Sequence, residues 1–245
     1  MSNILIISGS SDIGATLAKR LTSIGHHVHL TGRNEEAISG IANAISATYS
    51  VLDASHFDDV LSTFELMKNK LGSIDAVVNC AGSLLLKPAH LTTESQYHEV
   101  VQANLTTAFA TVHAAGKYMS QSGGSVVLMS SAAALVGLSN HEAIAAAKAG
   151  IIGLARSAAA TYANNNLRFN VVAPGLVETK LTRALTHNPV GRKASESMHA
   201  LGRLGSPEDV ASAILFFIAP ENSWVTGQVL SIDGGLSYIR PKVKA

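Results

Sequence analysis

Short, apolar, β-rich runs alternate with longer helical patterns along the whole chain, and this alternation limits the fold more than any other feature. Strand-like runs fall at Ile4–Ser8, Val28–Thr31, Tyr49–Leu52, Ala76–Asn79, Ser125–Ser130, Arg168–Ala173 and Val229–Ile232. Helical periodicity fills the intervals at Ile13–Ile24, Glu35–Ala47, Phe57–Leu71, Glu94–Ser120, Asn140–Ala163 and Pro207–Ala219. Strands that read apolar on both faces and alternate with helices predict a parallel sheet covered on both sides. No Pro/Gly/Ser linker, repeat or low-complexity tract divides the chain. Residues 1–245 therefore read as a single α/β domain, a doubly wound, Rossmann-type parallel sheet of about seven strands. Its ligand crevice is expected at the carboxyl ends of the strands.

Composition narrows the class of function. Hydrophobic residues make up 47% of the 245, ample for a full core, and charged residues only 14%. So few charges fit extra apolar surface buried between subunits, and a homo-oligomer, tetramer or dimer, is expected. The net charge of +1 gives no basic field for nucleic acid or an anionic membrane. No stretch approaches 18 apolar residues, and Met1-Ser2-Asn3 runs straight into a strand, so neither a membrane span nor a signal peptide is expected. The single Cys80 precludes an internal disulfide and suits a reducing cytoplasm. No metal-ligand pattern is read.

Two stretches carry chemistry. Ile7-Ser8-Gly9-Ser10-Ser11-Asp12-Ile13-Gly14 follows a strand and opens a helix. A small, Gly/Ser-rich loop there lets backbone N–H groups and the helix N-terminus face a pyrophosphate. Gly32-Arg33 ends the second strand, where a dinucleotide's adenosine ribose should lie. An acidic residue there would bind a free 2′-hydroxyl, whereas Arg33 accommodates a 2′-phosphate, so NADP(H) is favoured over NAD(H). Further along, Ser139 and Glu142 spell a capping box that would place Asn140 in the first turn of a helix. On that helix Ile144 and Lys148, four apart, share a face. Ala145, Ala146, Ala147, Ala149 and Gly150 would admit another helix closely, from a second copy or within one subunit.

Taken together, the motifs resemble the short-chain dehydrogenase/reductase family over nearly the whole chain. The pieces are the Gly-rich turn, Asp53, Asn79-Cys80-Ala81-Gly82, Asn104, Ser131, Lys148, Pro174-Gly175-Leu176-Val177-Glu178-Thr179, and Val225-Thr226-Gly227-Gln228 with Asp233-Gly234-Gly235. The resemblance implies a nicotinamide coenzyme held by Gly9, Ser10, Ser11, Asp12 and Ile13 at the phosphates. Arg33 and Asn34 would stand at the adenosine ribose, and Asp53 and Ala54 at the adenine. Asn79, Ala81 and Gly82 would support the ribose, and Pro174, Gly175, Val177 and Thr179 the nicotinamide. Lys148 would bridge ribose hydroxyls, Ser131 would assist at the substrate oxygen, and Asn104 would anchor a proton-relay water.

One departure concerns the reaction itself. The family's tyrosine, the usual proton donor, is replaced by Ile144, which has no proton to give. His141 lies three residues earlier, about 4.5 Å along the helix, and its chemistry suits acid–base work near neutrality. Tyr238 and Lys242 repeat the tyrosine–lysine spacing but have Pro241 between them and read as a decoy. Ser8 and Asp12 stand where glycines are usual, and Asp12 is expected to turn toward backbone amides. Cys80 reads as a buried core thiol. Residues 180–204 would form a mobile loop over a small-molecule substrate, and its excess of basic residues reads as a solvated flap. The leading expectation is an NADP(H)-dependent oxidoreductase acting on a carbonyl, quinone or conjugated substrate with an altered acid. The rival is a catalytically silent NADP(H)-binding protein, either a sensor or a structural subunit of an active homologue.

Overall fold

A computed structural model describes residues 1–240. Seven strands form one parallel sheet: β1 (Asn3–Ile7), β2 (His27–Gly32), β3 (Thr48–Val51), β4 (Ala76–Asn79), β5 (Gly124–Met129), β6 (Leu167–Pro174) and β7 (Val229–Ile232). Their order is β3-β2-β1-β4-β5-β6-β7, so the winding direction reverses between β1 and β4. Ile7 pairs with Asn79, and Cys80 N donates to Ile7 O at 2.9 Å, which leaves a crevice where the two chains diverge.

Strict side-chain alternation builds the two layers. Leu5, Ile7, Val77, Val126, Leu128 and Phe169 face one core with Phe64 and Ile151; Ile4, Ile6, Val28, Leu30, Val78, Val127 and Val172 face the other with Leu17, Leu21, Ile214 and Phe217. The covering helices are α1 (Asp12–Ser23), α2 (Glu35–Ala44), α3 (Phe57–Leu71), α4 (Glu94–Val101), α5 (Thr107–Met119), α6 (Glu142–Thr161), α7 (Arg183–Thr186), α8 (Pro189–Met198) and α9 (Pro207–Ile218).

Four local outcomes depart from the sequence reading. Strand β1 stops at Ile7 because Ser8 adopts φ +59°, the left-handed conformation that explains why glycine is usual there. The long helix expected over Glu94–Ser120 is broken by a π-turn at Gln102–Thr106, which carries Asn104. The Ser139/Glu142 capping box does not form. Asn140 has φ +64° and lies outside the helix; its carbonyl accepts from Lys87 N at 2.7 Å, and His141 becomes the N-cap without a side-chain cap. Finally, α6 is long and apolar enough by length and composition to cross a membrane, contrary to the expectation that no stretch comes close. In the fold it packs against β6, α4 and α5. A Cβ on Gly150 would stand 3.0 Å from Leu105, so this small residue serves contact within the subunit.

Candidate active site

The carboxyl ends of β1, β4, β5 and β6 open into a cavity of about 510 Å³, within the range of small-molecule sites. On one side stands the Gly-rich turn. Gly9 N donates to Thr31 O at 2.8 Å, and a Cβ on Gly14 would stand 2.9 Å from Gly9 Cα, so the helix start presses directly on the turn. Ser11 caps α1 by accepting from Gly14 N at 3.1 Å. Asp12 does turn to a backbone amide, but one across the crevice: Lys180 N donates to its Oδ2 at 2.6 Å.

The catalytic side is held by long-range bonds. Lys148 Nζ donates to Met129 O and Ser130 Oγ donates to Lys148 O, both at 2.8 Å, which locks α6 onto the end of β5. Lys148 is only 6% exposed, and burial pushes its amine down to about 8, with Cys80 acting weakly the other way. A Cβ on Gly82 would lie 2.9 Å from Asn104 Oδ1 and 3.3 Å from Lys148 Nζ, so both side chains close on this glycine. Asn104 Nδ2 donates to Ser83 Oγ and Val100 O, and its Oδ1 accepts from Ser83 N. Ser131 Oγ accepts from Ala133 N at 3.2 Å, which leaves its own hydroxyl proton uncommitted. Ile144 lines the same cavity as Ser131, His141 and Lys148 and is 3% exposed. His141 Nδ1 lies 2.7 Å from Ser139 O and must be the donor, so Nε2 is the nitrogen left to exchange a proton.

The cavity gathers Ser10, Ser11, Asp12, Ile13, Ala81, Gly82, Ser131, His141, Lys148, Pro174, Gly175, Val177 and Thr179. It does not include Gly9, Asn79, Asn104, Arg33, Asn34, Asp53 or Ala54 in its lining. Gly9, Asn79 and Asn104 shape it from behind. Asn79 is buried, donating to Thr111 Oγ1 and accepting from Ala81 N. Arg33 and Asn34 are exposed beyond β2. Asn34 Oδ1 is spent on the cap of α2, accepting from Ala37 N at 2.8 Å. Asp53 accepts from Ser55 N and Oγ; these bonds, with Arg33 adding a smaller share, hold its carboxyl below the usual range. Ala54 is buried in the core.

Residues 180–204 fold into α7 and α8 rather than an irregular loop. Arg192 pairs with Glu178 and Glu196, and Arg203 with Asp209, so two of its cations are neutralised within the chain. The apolar side chains Leu181, Leu185 and Met198 from this segment face the cavity with Leu84, Leu86 and Leu138. These were not singled out in the sequence, because their convergence depends on how the segment folds back. Cys80, expected as a buried core thiol, is instead half-buried and lines the cavity, where desolvation pushes its thiol up to about 12. Tyr238 is exposed, and its decoy partner Lys242, with Pro241, lies outside the described residues.

A switch-point crevice bordered by a Gly-rich helix start has the form of a nucleotide site, and Ser131 and the buried Lys148 line it together. The family model described as enoyl-(acyl carrier protein) reductase matches residues 7–237, and the chain belongs to the short-chain dehydrogenase/reductase family. It is 33% identical to the 3-oxoacyl-[acyl-carrier-protein] reductase FabG of Chlamydia muridarum over 95% of this chain and 96% of the relative. A short-chain type dehydrogenase/reductase from Mycobacterium ulcerans superimposes with a TM-score of 0.94 at 27% identity, covering 98% of this chain and 91% of that one. ElxO, solved with NADP bound, superimposes at 0.89 with 30% identity, covering 96% and 98%. A tyrosine-to-phenylalanine variant of ElxO was solved with NADPH bound, with the same scores. The chain is thus an oxidoreductase of this family.

Proposed function

We propose that the protein is an NADP(H)-dependent oxidoreductase that reduces or oxidises an apolar carbonyl, quinone or conjugated substrate and uses an altered proton donor. The observation that carries this is the convergence of Ser131, His141, Ile144 and Lys148 on one apolar cavity at the β1/β4 switch point. The residues fit a nicotinamide coenzyme. Lys148 has three N–H donors and, among the described residues, one protein acceptor, Met129 O, so it has donors left for ribose hydroxyls. When bound, the coenzyme would supply or accept the hydride. Arg33, exposed at the end of β2, would meet the 2′-phosphate. The solved tyrosine-to-phenylalanine variant of ElxO, which carries NADPH, supports the view that a protein of this fold can hold the coenzyme after losing a tyrosine hydroxyl.

Among the chain's own groups, Ser131 donates its free hydroxyl proton to the substrate oxygen as a hydrogen bond. His141 acts at Nε2, delivering a proton as the imidazolium while Nδ1 stays anchored on Ser139 O. Ile144 and the surrounding leucines exclude water and favour substrates whose conjugation spreads developing charge. General acid catalysis is worth about 10²–10⁴-fold, so the change of donor slows such an enzyme without silencing it. Exposed Phe109 on α5 and exposed Ala146, Ala149 and Gly153 on α6 support assembly with further copies of the chain. The lone cysteine supports a reducing, cytoplasmic setting.

The hydrocarbon at position 144 also favours a second reading, a silent NADP(H)-binding protein. A screen of ketones, quinones and enones for NADPH oxidation by purified protein separates the two. Turnover is expected, and binding of NADPH with no turnover across the screen would leave the silent binder. In a turning-over enzyme His141→Ala should cut kcat at least about tenfold with coenzyme affinity unchanged. Unaltered kcat would pass the acid role to Ser131 and water.

A further inference from the structure

The covering segment carries a buried imidazole that none of the roles above uses. His199 follows the last turn of α8 and is 3% exposed. Its Nδ1 lies 2.6 Å from Ser195 O, and its Nε2 lies 3.2 Å from Leu176 N. A carbonyl only accepts and a backbone amide only donates, so the proton sits on Nδ1 and the lone pair on Nε2. Both nitrogens are committed and one neutral tautomer is fixed. This removes His199 from the candidate proton donors, although it borders the cavity.

The ring bears on a backbone that glycine leaves free to turn. A Cβ at Gly175 would stand 2.6 Å from His199 Nε2, so the imidazole packs on the bare Cα of that residue. The rest of the turn is tied to neighbours: Gly175 N donates to Ile232 O, Leu176 O accepts from Gly205 N, and Glu178 N donates to Gly205 O. Leu176 N has the imidazole as its partner.

We propose that His199 is a positioning residue: through Nε2 it holds the Leu176 amide, and with it the Gly175–Val177 turn, in the orientation that presents the Val177 backbone to a nicotinamide carboxamide. The inference rests on the coenzyme reading above, but its first consequence, the restraint of Leu176 N–H, belongs to the free protein.

Two substitutions divide the ring's two functions. In His199→Gln the side-chain oxygen can stand near Nε2 and accept from Leu176 N, while the Ser195 contact is lost. In His199→Asn the amide can stand near Nδ1 and donate to Ser195 O, leaving Leu176 N without its acceptor. We expect His199→Gln to bind NADPH within about threefold of the native protein and His199→Asn about tenfold more weakly, the order of one lost hydrogen bond. Amide exchange at Leu176, followed without coenzyme, should accelerate at least about tenfold in the Asn variant and little in the Gln variant. Equal affinities and equal exchange rates in the two variants, or a Gln variant weaker than the Asn one, would overturn the proposal. Should the Asn variant fail to fold, a folded Gln variant with native exchange at Leu176 upholds it and one with fast exchange overturns it. Absence of NADPH binding by the native protein would defeat the coenzyme reading instead, and the exchange rates alone would then decide the role of His199.

Discussion

The two ends of the proposed coenzyme site are built by different means. On the proposed adenosine side Asn34 and Asp53 are fixed by partners two or three positions away, Ala37 N and Ser55. On the proposed nicotinamide side the anchoring partners of Lys148, Asn104 and His199 are remote in sequence, at Met129, Ser83 and Leu176, while Ser131 and His141 are held locally by Ala133 N and Ser139 O. Arg33 and Asn34 on the first side are exposed, whereas Ile144, Lys148 and His199 on the second are buried. A nucleotide grip made of short-range turns can persist while the chemistry beyond it is rebuilt, and Ile144 lies wholly on the second side.

The sharpest way to break this division is at its most buried charge. Lys148→Met should lower turnover by about 10²-fold or more while raising thermal stability at neutral pH, because it removes a desolvated ammonium whose single protein acceptor is Met129 O. The sign follows from linkage. The amine sits at about 8 in the fold against 10.5 for a free lysine, so between those limits the unfolded chain holds more protons and stability rises with pH. The penalty is complete below pH 8. Unfolding midpoints measured from pH 7 to 10.5 should show that rise in the native protein, beyond any shared by Lys148→Met. Identical profiles would place the titration elsewhere.

On the other side, Arg33→Ala should weaken NADPH binding about tenfold and leave NADH unchanged, with the difference shrinking in salt. Equal NADPH and NADH affinities in the native protein would end the argument from the 2′-phosphate. The smallest effect is expected at the seam. Asp12→Asn keeps an acceptor for Lys180 N and removes a negative charge from the phosphate end of α1, so NADPH should bind about threefold tighter at low salt. Weaker binding would show that the carboxylate's grip on Lys180 matters more than its repulsion.

The same contrast explains what could be read from the sequence. All seven strands and the order of the motifs were legible, since apolar periodicity and Gly/Pro punctuation are local signals. Ile144 and Lys148 could be placed on one face because helix spacing fixes it, whereas Ser131 joined them only through the family resemblance. The failures are tertiary. Asn140 escapes its predicted helix because its carbonyl is drawn to Lys87 N, and the Ser139 carbonyl is claimed by the His141 ring. The π-turn around Asn104 adds one residue to a helical pattern that otherwise continues, so periodicity alone conceals it. His199 had no motif to announce it; only the refolding of residues 180–204 brings it to Leu176.

The single cysteine gives the experimenter something the fold did not select. Half-buried at the crevice, with desolvation pushing its thiol up to about 12, Cys80 offers an alkylating reagent little thiolate while the sheet is intact. Unfolding restores an ordinary thiol, so covalent tagging of this one sulfur would time the opening of the β1/β4 junction, molecule by molecule, without a dye or an engineered label.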